Sequence, residues 1–542
     1  MQTVAVVPIF VSVGSAVMPT VAAALASVAA VAFKPRELWR LIRLRPALVA
    51  GVAGAGLLVI VLSILLIGSR SSLRTPRVAE TRSAQIDWAK VAEGIIAQQR
   101  AGRALTDPAA VFAGAEVSGT SAAAGQTPSD PVKALPIIQA HDATRSSYAG
   151  GASPTNLQPL WSYRPEETMF LAEPLVASNR IYVAGCQADL GSYSGILACL
   201  DAQTGKPIWE KSELNNDVMK PYFSSPALSA DGKSLLIGQG LHQDTNCALL
   251  CFDAETGKLR WSAPTPLHIE SSPAIFDDIA VVGAGAIEGN DGRPTGDPGF
   301  VMAVRISDGK PLWRQPVTDA ESSPAFDADG NVYIGSGFNG NAVVALRSES
   351  DEVLQEKNLP RAMWKTPVPY PVTSAITVVD DLIIAGAGNG DVVHSSADPQ
   401  GLVVAIDRAT GSIRWQRAFE DAVLGGVAAR GDVLVCPVRT GEVAALSKQD
   451  GSILWRSRIS GKAPVIASAG FTGEFVYAVS SDGYLALLDA RTGEVKEKIA
   501  LNDPAKPGSG LSLGAAQIAN GRVYVGSETG GVRCLVGTEA KP

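Results

Sequence analysis

One pattern constrains the fold of this chain more than any other feature. From Cys251 to Trp261 the sequence reads CFDAETGKLRW: a small residue, an Asp, a Thr-Gly turn and a closing Trp. Clear copies stand at Cys199–Trp209, Ala303–Trp313, Ala405–Trp415 and Ala445–Trp455. Three degenerate copies begin at Ala345, where an insertion delays the Trp to Trp364, at Leu487, where Glu497 replaces the Trp, and at Cys534, where the chain ends. A unit recurring at about 40 to 60 residues means stacked or radially arranged modules.

Each unit carries the same further cues, plainest between Ser322 and Trp364. SSPAF is followed by a turn at DADGN, the run VYIGSG, a Gly-Asn turn and AVVALR, and the Trp opens a fourth run. Apolar alternation bounded by turn residues predicts four antiparallel strands per unit. The second-strand signature returns at 181, 235, 280, 332, 382, 433, 476 and 523. Eight four-stranded units predict an all-β, eight-bladed β-propeller, in which radial closure removes exposed sheet edges. The last unit lacks its Trp strand, while Leu160-Trp161-Ser162-Tyr163 stands unclaimed before the first. That segment is expected to complete the eighth blade and shut the ring.

The small-x-Asp-x-x-Thr-Gly-x-x-x-Trp pattern at 199–209, 251–261 and 405–415 resembles the pyrroloquinoline-quinone (PQQ) type propeller repeat, over about residues 158–538. In such proteins the repeated Trp packs between blades. The resemblance therefore makes Trp161, Trp209, Trp261, Trp313, Trp364, Trp415 and Trp455 a structural girdle. It also implies two functional classes. One is the quinoprotein dehydrogenases, which hold PQQ and calcium in the central funnel; the other is the non-catalytic scaffolds similar to BamB, the outer-membrane-protein assembly factor.

For an enzyme, the funnel candidates are Glu173, Ser225, Glu270, Ser272, Glu321 and Ser323, because an ionised base and oxygen ligands must face the axis. The Glu-Ser-Ser-Pro-Ala at 270–274 recurs at 321–325, and recurrence at one repeat position favours a solvated strand start over a unique acid. The adjacent-cysteine pair and long cofactor-covering insertions of many quinoprotein alcohol dehydrogenases are missing. His268 and His394 are read as surface loop residues. The loop 286–299 gathers Glu288, Asn290, Asp291 and Asp297, a composition able to hold calcium, though turn chemistry explains it as well. Loops at 186–195, 240–246 and 388–400 are enlarged on the same face, as a recognition surface requires. The preferred expectation is a scaffold with no cofactor and no catalytic residue, binding an envelope protein; the alternative is a PQQ- and calcium-dependent dehydrogenase.

The N-terminal part is of a different kind. Residues 46–67 are 22 uncharged residues, enough to cross about 30 Å of hydrocarbon. Residues 1–33, broken by Pro8 and Pro19, are expected to be a first span, and the five basic residues of 34–45 place that loop in the cytoplasm. The propeller is then expected in the periplasm, tethered to the bacterial inner membrane. With no cysteine before Cys186, a lipid anchor is not expected. Residues 68–157 read as a linker, with an amphipathic helix near 83–100 and a flexible Ala-, Gly-, Ser- and Pro-rich stretch after it. Residues 1–77 carry a net +7, so the rest carries -14 of the total -7. An acidic globular part argues against nucleic-acid binding. The cysteines in the small slot are buried fillers, and Cys186 and Cys199, on neighbouring strands of one hairpin, are left open as a pair.

Overall fold

The small slot, the Thr-Gly turn and the Trp explain one another in the computed structural model. It describes residues 138–139, 153–189, 192–215, 217–288, 294–392, 395–502 and 512–537. Within each blade the Trp lies directly across from the small residue: Cys199 opposite Trp209, Cys251 opposite Trp261, Ala303 opposite Trp313, Ala405 opposite Trp415. A β-bulge follows that pair in each of these blades. Two cross-strand side chains share one patch of sheet, so an indole there leaves room only for Ala or Cys.

The Asp-x-x-Thr-Gly segment turns the third strand into the fourth. Asp253 Oδ1 accepts the backbone N–H of Thr256 at 3.0 Å and its hydroxyl at 2.8 Å, and the Gly257 N–H closes onto the Asp253 carbonyl at 2.8 Å. Gly257 has φ of +68°, and a Cβ on it would sit 2.6 Å from the ring of Trp209 in the preceding blade. Both backbone strain and sterics therefore demand glycine.

Eight antiparallel sheets of this kind form the propeller. Neighbouring blades are joined by the indoles, each donating Nε1–H to a carbonyl of the next blade: Trp209 to Ala254 at 3.1 Å, Trp261 to Ile306 and Trp313 to Ser348 at 2.8 Å, Trp364 to Arg408 at 3.0 Å, Trp415 to Lys448 and Trp455 to Ala490 at 2.9 Å. Where Glu497 replaces Trp, its carboxylate instead accepts the Leu157 N–H of the eighth blade at 2.8 Å. Leu157–Tyr163 pairs antiparallel with Gly531–Gly537, with Trp161 opposite Cys534, and Trp161 reaches Ala202 of the first blade at 3.1 Å. The ring is thus shut by the segment the sequence left unclaimed.

Ile138–Gln139 is a short strand on the inner edge of the first blade, paired with Val176 and Ala177, so the stretch after residue 104 is not a uniform tether. Cys186 and Cys199 are both free and buried, because Cys199 pairs in register with Tyr182, and Cys186, farther along, with Gly195. The spans at 1–33 and 46–67 and the helix near 83–100 lie outside the described residues. Among the described residues no helix is long and apolar enough to cross a membrane.

The turn aspartates give the propeller a measurable acid response. The Arg260 guanidinium, then the Thr256 hydroxyl, hold Asp253 at about 2 against its ordinary 3.8. A carboxylate with a depressed folded value stabilises above its unfolded value and loses that contribution as the pH falls through the folded one. Asp253→Asn is expected to lower stability by about 0.5–1 kcal/mol at neutral pH, the size of a partly exposed pair. Its denaturation midpoint should converge on that of the parent as the pH drops from about 4 to about 2.

Candidate functional site

The inner strands converge on an axial funnel of about 760 Å³, whose lining includes Met169, Phe223, Leu241, Phe338, Leu424 and Ile466. That volume lies in the range of small-ligand sites. Three of the enlarged loops reach it, through Tyr193, His242 and Val392. Part of its wall is built by the paired serines that precede the inner strands of the second, third and fourth blades, Ser224-Ser225, Ser271-Ser272 and Ser322-Ser323. The first serine accepts an N–H of its own blade: Ser271 Oγ accepts the Gly283 N–H and donates to the Gly283 carbonyl, both at 2.8 Å, while Ser322 Oγ accepts the Gly335 N–H at 3.1 Å and donates to the Ser374 carbonyl of the next blade at 2.7 Å. The second crosses to its neighbour. Ser225 Oγ accepts the Glu173 N–H at 3.0 Å, Ser272 Oγ that of Ser225 at 3.0 Å, and Ser323 Oγ that of Ser272 at 2.9 Å. Ser225, Ser272 and Ser323 therefore form an inter-blade belt, satisfying buried N–H groups that the short inner strands leave over.

Glu270 and Glu321 are not solvated strand starts. Both line the funnel, and Glu321 sits between two imidazoles: its Oε1 lies 2.9 Å from His242 Nδ1 and 2.9 Å from His268 Nε2. The two rings meet edge to face, with centroids 5.2 Å apart. His268, expected on the surface, is fully buried; His394 lies outside the described residues. Glu288 also comes inward, its carboxylate 3.9 Å from His242 Nε2. Its presumed calcium partners do not accompany it. Asp297 turns to Arg314 and the Gly299 N–H, while Asn290 and Asp291 lie outside the described residues.

The electrostatics follow from crowding four carboxylates around two histidines. Burial works against a charged His242, but Glu321, Glu288 and Glu270 outweigh it and hold its pKa well above 6.5. Burial would likewise raise Glu321, yet His242 and His268 overcome it and keep that carboxyl well below its ordinary range. Glu270 is pushed up to about 7 by burial and by Glu321. Asp319, fully buried beside the cluster, is raised by the same two causes and binds the Phe338 N–H at 2.7 Å. His242 and Asp319 were not singled out from sequence; the only signal was that the 240–246 loop is enlarged.

These residues do not fit a calcium-held quinone. Calcium takes six to eight oxygen ligands. Here the serine hydroxyls accept neighbouring backbone N–H groups, Glu321 is held by two imidazoles, and nitrogen donors stand where oxygen ligands would be needed.

A family model described as outer membrane protein assembly factor BamB matches residues 152–398 and 399–540. The chain is 22% identical over 344 residues to an outer membrane protein assembly factor BamB of Burkholderia pseudomallei, covering 57% of this chain and 82% of that protein. It is 28% identical over 279 residues to the dehydrogenase subunit of a quinone alcohol dehydrogenase of Gluconobacter oxydans, covering 46% of this chain but only 34% of that protein. Among solved structures, BamB from Moraxella catarrhalis aligns at a TM-score of 0.51 and 16% identity, over 71% of this chain and 99% of that one. At that identity the likeness speaks to the propeller fold alone.

Proposed function

The chain belongs to the BamB family, and from that membership we propose that it is a non-catalytic scaffold of the bacterial cell envelope, binding a segment of an envelope protein at the funnel mouth. In this reading the propeller faces the periplasm and is tethered to the inner membrane by residues 46–67. The observation that carries the reading is the use made of the funnel side chains. The serines a cofactor would need bind the next blade, and Glu321 is engaged by two histidines, whereas the funnel lining offers Leu241, Phe338 and Ile466 as an apolar surface. Apolar anchors inside a polar rim are what protein recognition uses. The relatives named as assembly factors support an envelope protein as the partner.

The dehydrogenase reading has its own support, in the quinone alcohol dehydrogenases that share part of this sequence. Titrating the full-length protein with PQQ and calcium separates the two. We expect no quinone absorbance change and no dye reduction with alcohols or sugars, and a photo-crosslinker at Leu241 should trap one envelope protein. Stoichiometric PQQ binding with turnover would overturn the proposal. Reporters fused after residue 80 should be active outside the cytoplasm; activity only inside would overturn the placement.

A further inference from the structure

The cluster at the funnel has the composition of a transition-metal site with borderline donors. One nitrogen from each of His242 and His268 and one carboxylate oxygen of Glu270 lie within 4.8 Å of one another. Two nitrogens and an oxygen suit a divalent first-row transition ion, whereas calcium and magnesium want oxygen alone. Two further observations point to a ligand. His268 Nδ1 and Glu270 Oε1 are buried polar atoms with no hydrogen-bond partner, a costly state in a native interior. Glu321 Oε1 lies 2.9 Å from a ring nitrogen of both histidines. A carboxylate that accepts the N–H of a ligating histidine fixes the ring and raises its basicity, the usual support of such centres.

From this the geometry points to a zinc-class divalent metal site formed by His242, His268 and Glu270, oriented by Glu321 and open toward the funnel. Bonds of about 2.0–2.1 Å bring ligand atoms to about 3.3 Å apart, so the cluster must contract by roughly 1.5 Å at most. Movement at the end of the Glu270 side chain can supply much of that. Three protein ligands leave one coordination position, as in sites that bind exchangeable groups. His242 and Glu270 both line the funnel, so that position faces the cavity and takes water or a carboxylate of whatever docks there. The inference does not depend on the scaffold reading, since a metal could organise the mouth of either a scaffold or an enzyme.

The test uses the full-length chain, stripped with a chelator and titrated calorimetrically with Zn²⁺, with Co²⁺ as a spectroscopic probe. We expect one metal per chain and intense visible Co²⁺ bands of low coordination number. The sequence contains four histidines, so the other two give an internal control. Binding should weaken at least about tenfold in His242→Ala and in the isosteric Glu270→Gln, and be unchanged in a His141→Ala, His394→Ala double variant. Circular dichroism with chelator present checks that each variant is folded; Glu270→Gln, which removes charge without volume, decides the matter if a histidine variant is not. No uptake of either metal by the folded parent would overturn the proposal, as would uptake that survives both ligand variants.

Discussion

A chain that begins at residue 170 is expected to lose the single cooperative melt of the propeller and to aggregate. The missing strand, Leu157–Tyr163, runs the full length of Gly531–Gly537, buries Leu157 and Tyr163, and half-buries Trp161. Trp161 also lies against the Gly205 turn of the first blade and donates to Ala202. Tyr163 packs on Phe170 with ring centroids 5.7 Å apart and bonds Glu210, again in the first blade. Burying three such side chains contributes about 5 kcal/mol or more, which is comparable with the whole stability of a typical domain. What remains is worse than a weakened ring, because Gly531–Gly537 becomes an unpaired edge at a gap between blades. The comparison is with a chain beginning at residue 150, monitored by thermal circular dichroism and light scattering. Equal melting of the two would show that Leu157–Tyr163 does not hold the ring shut.

The same residues show why the fold could be read and the site could not. The Trp slot, the small residue across from it and the Thr-Gly turn are local demands, repeated in blade after blade, so each copy tests the others. Even the closure was legible, because a Trp strand missing at one end and spare at the other is a statement about sequence order. The funnel obeys no such rule. Glu270 and Glu321 recur in register and so looked like solvated strand starts, yet the radial arrangement turns both inward to meet His242, which sits in an irregular loop of the second blade. At 286–299 composition carried little for a related reason: Glu288 lies against His242 and Asp297 against Arg314, although only nine positions separate them. Direction at a loop is set by the neighbouring blade, which a linear reading does not contain. Likewise His268 does lie in a loop, but it is fully buried, packed against Gly240, Gly285 and Glu321, where a surface position was expected.

Glu321→Ala is expected to lower stability by about 2–4 kcal/mol in chelator-treated protein, although the residue lies in no strand. Its side chain is only 12% exposed, and the same oxygen lies within hydrogen-bond distance of two imidazoles, one of them fully buried. Removing one member of a buried charged set strands the others, at about 3–5 kcal/mol. Part of that loss is offset, because Glu270 and Asp319, both raised in part by Glu321, are relieved of a neighbouring negative charge. Glu321→Gln keeps an acceptor of the same shape and should cost less, about 1–2 kcal/mol. The decisive measurement is a double-mutant cycle by denaturant unfolding with His242→Ala, which should show a coupling of at least about 1 kcal/mol between the two positions. Independent, additive losses would mean that Glu321 fills space rather than joining the histidines. In that case the cluster lacks the carboxylate that holds its two rings in place.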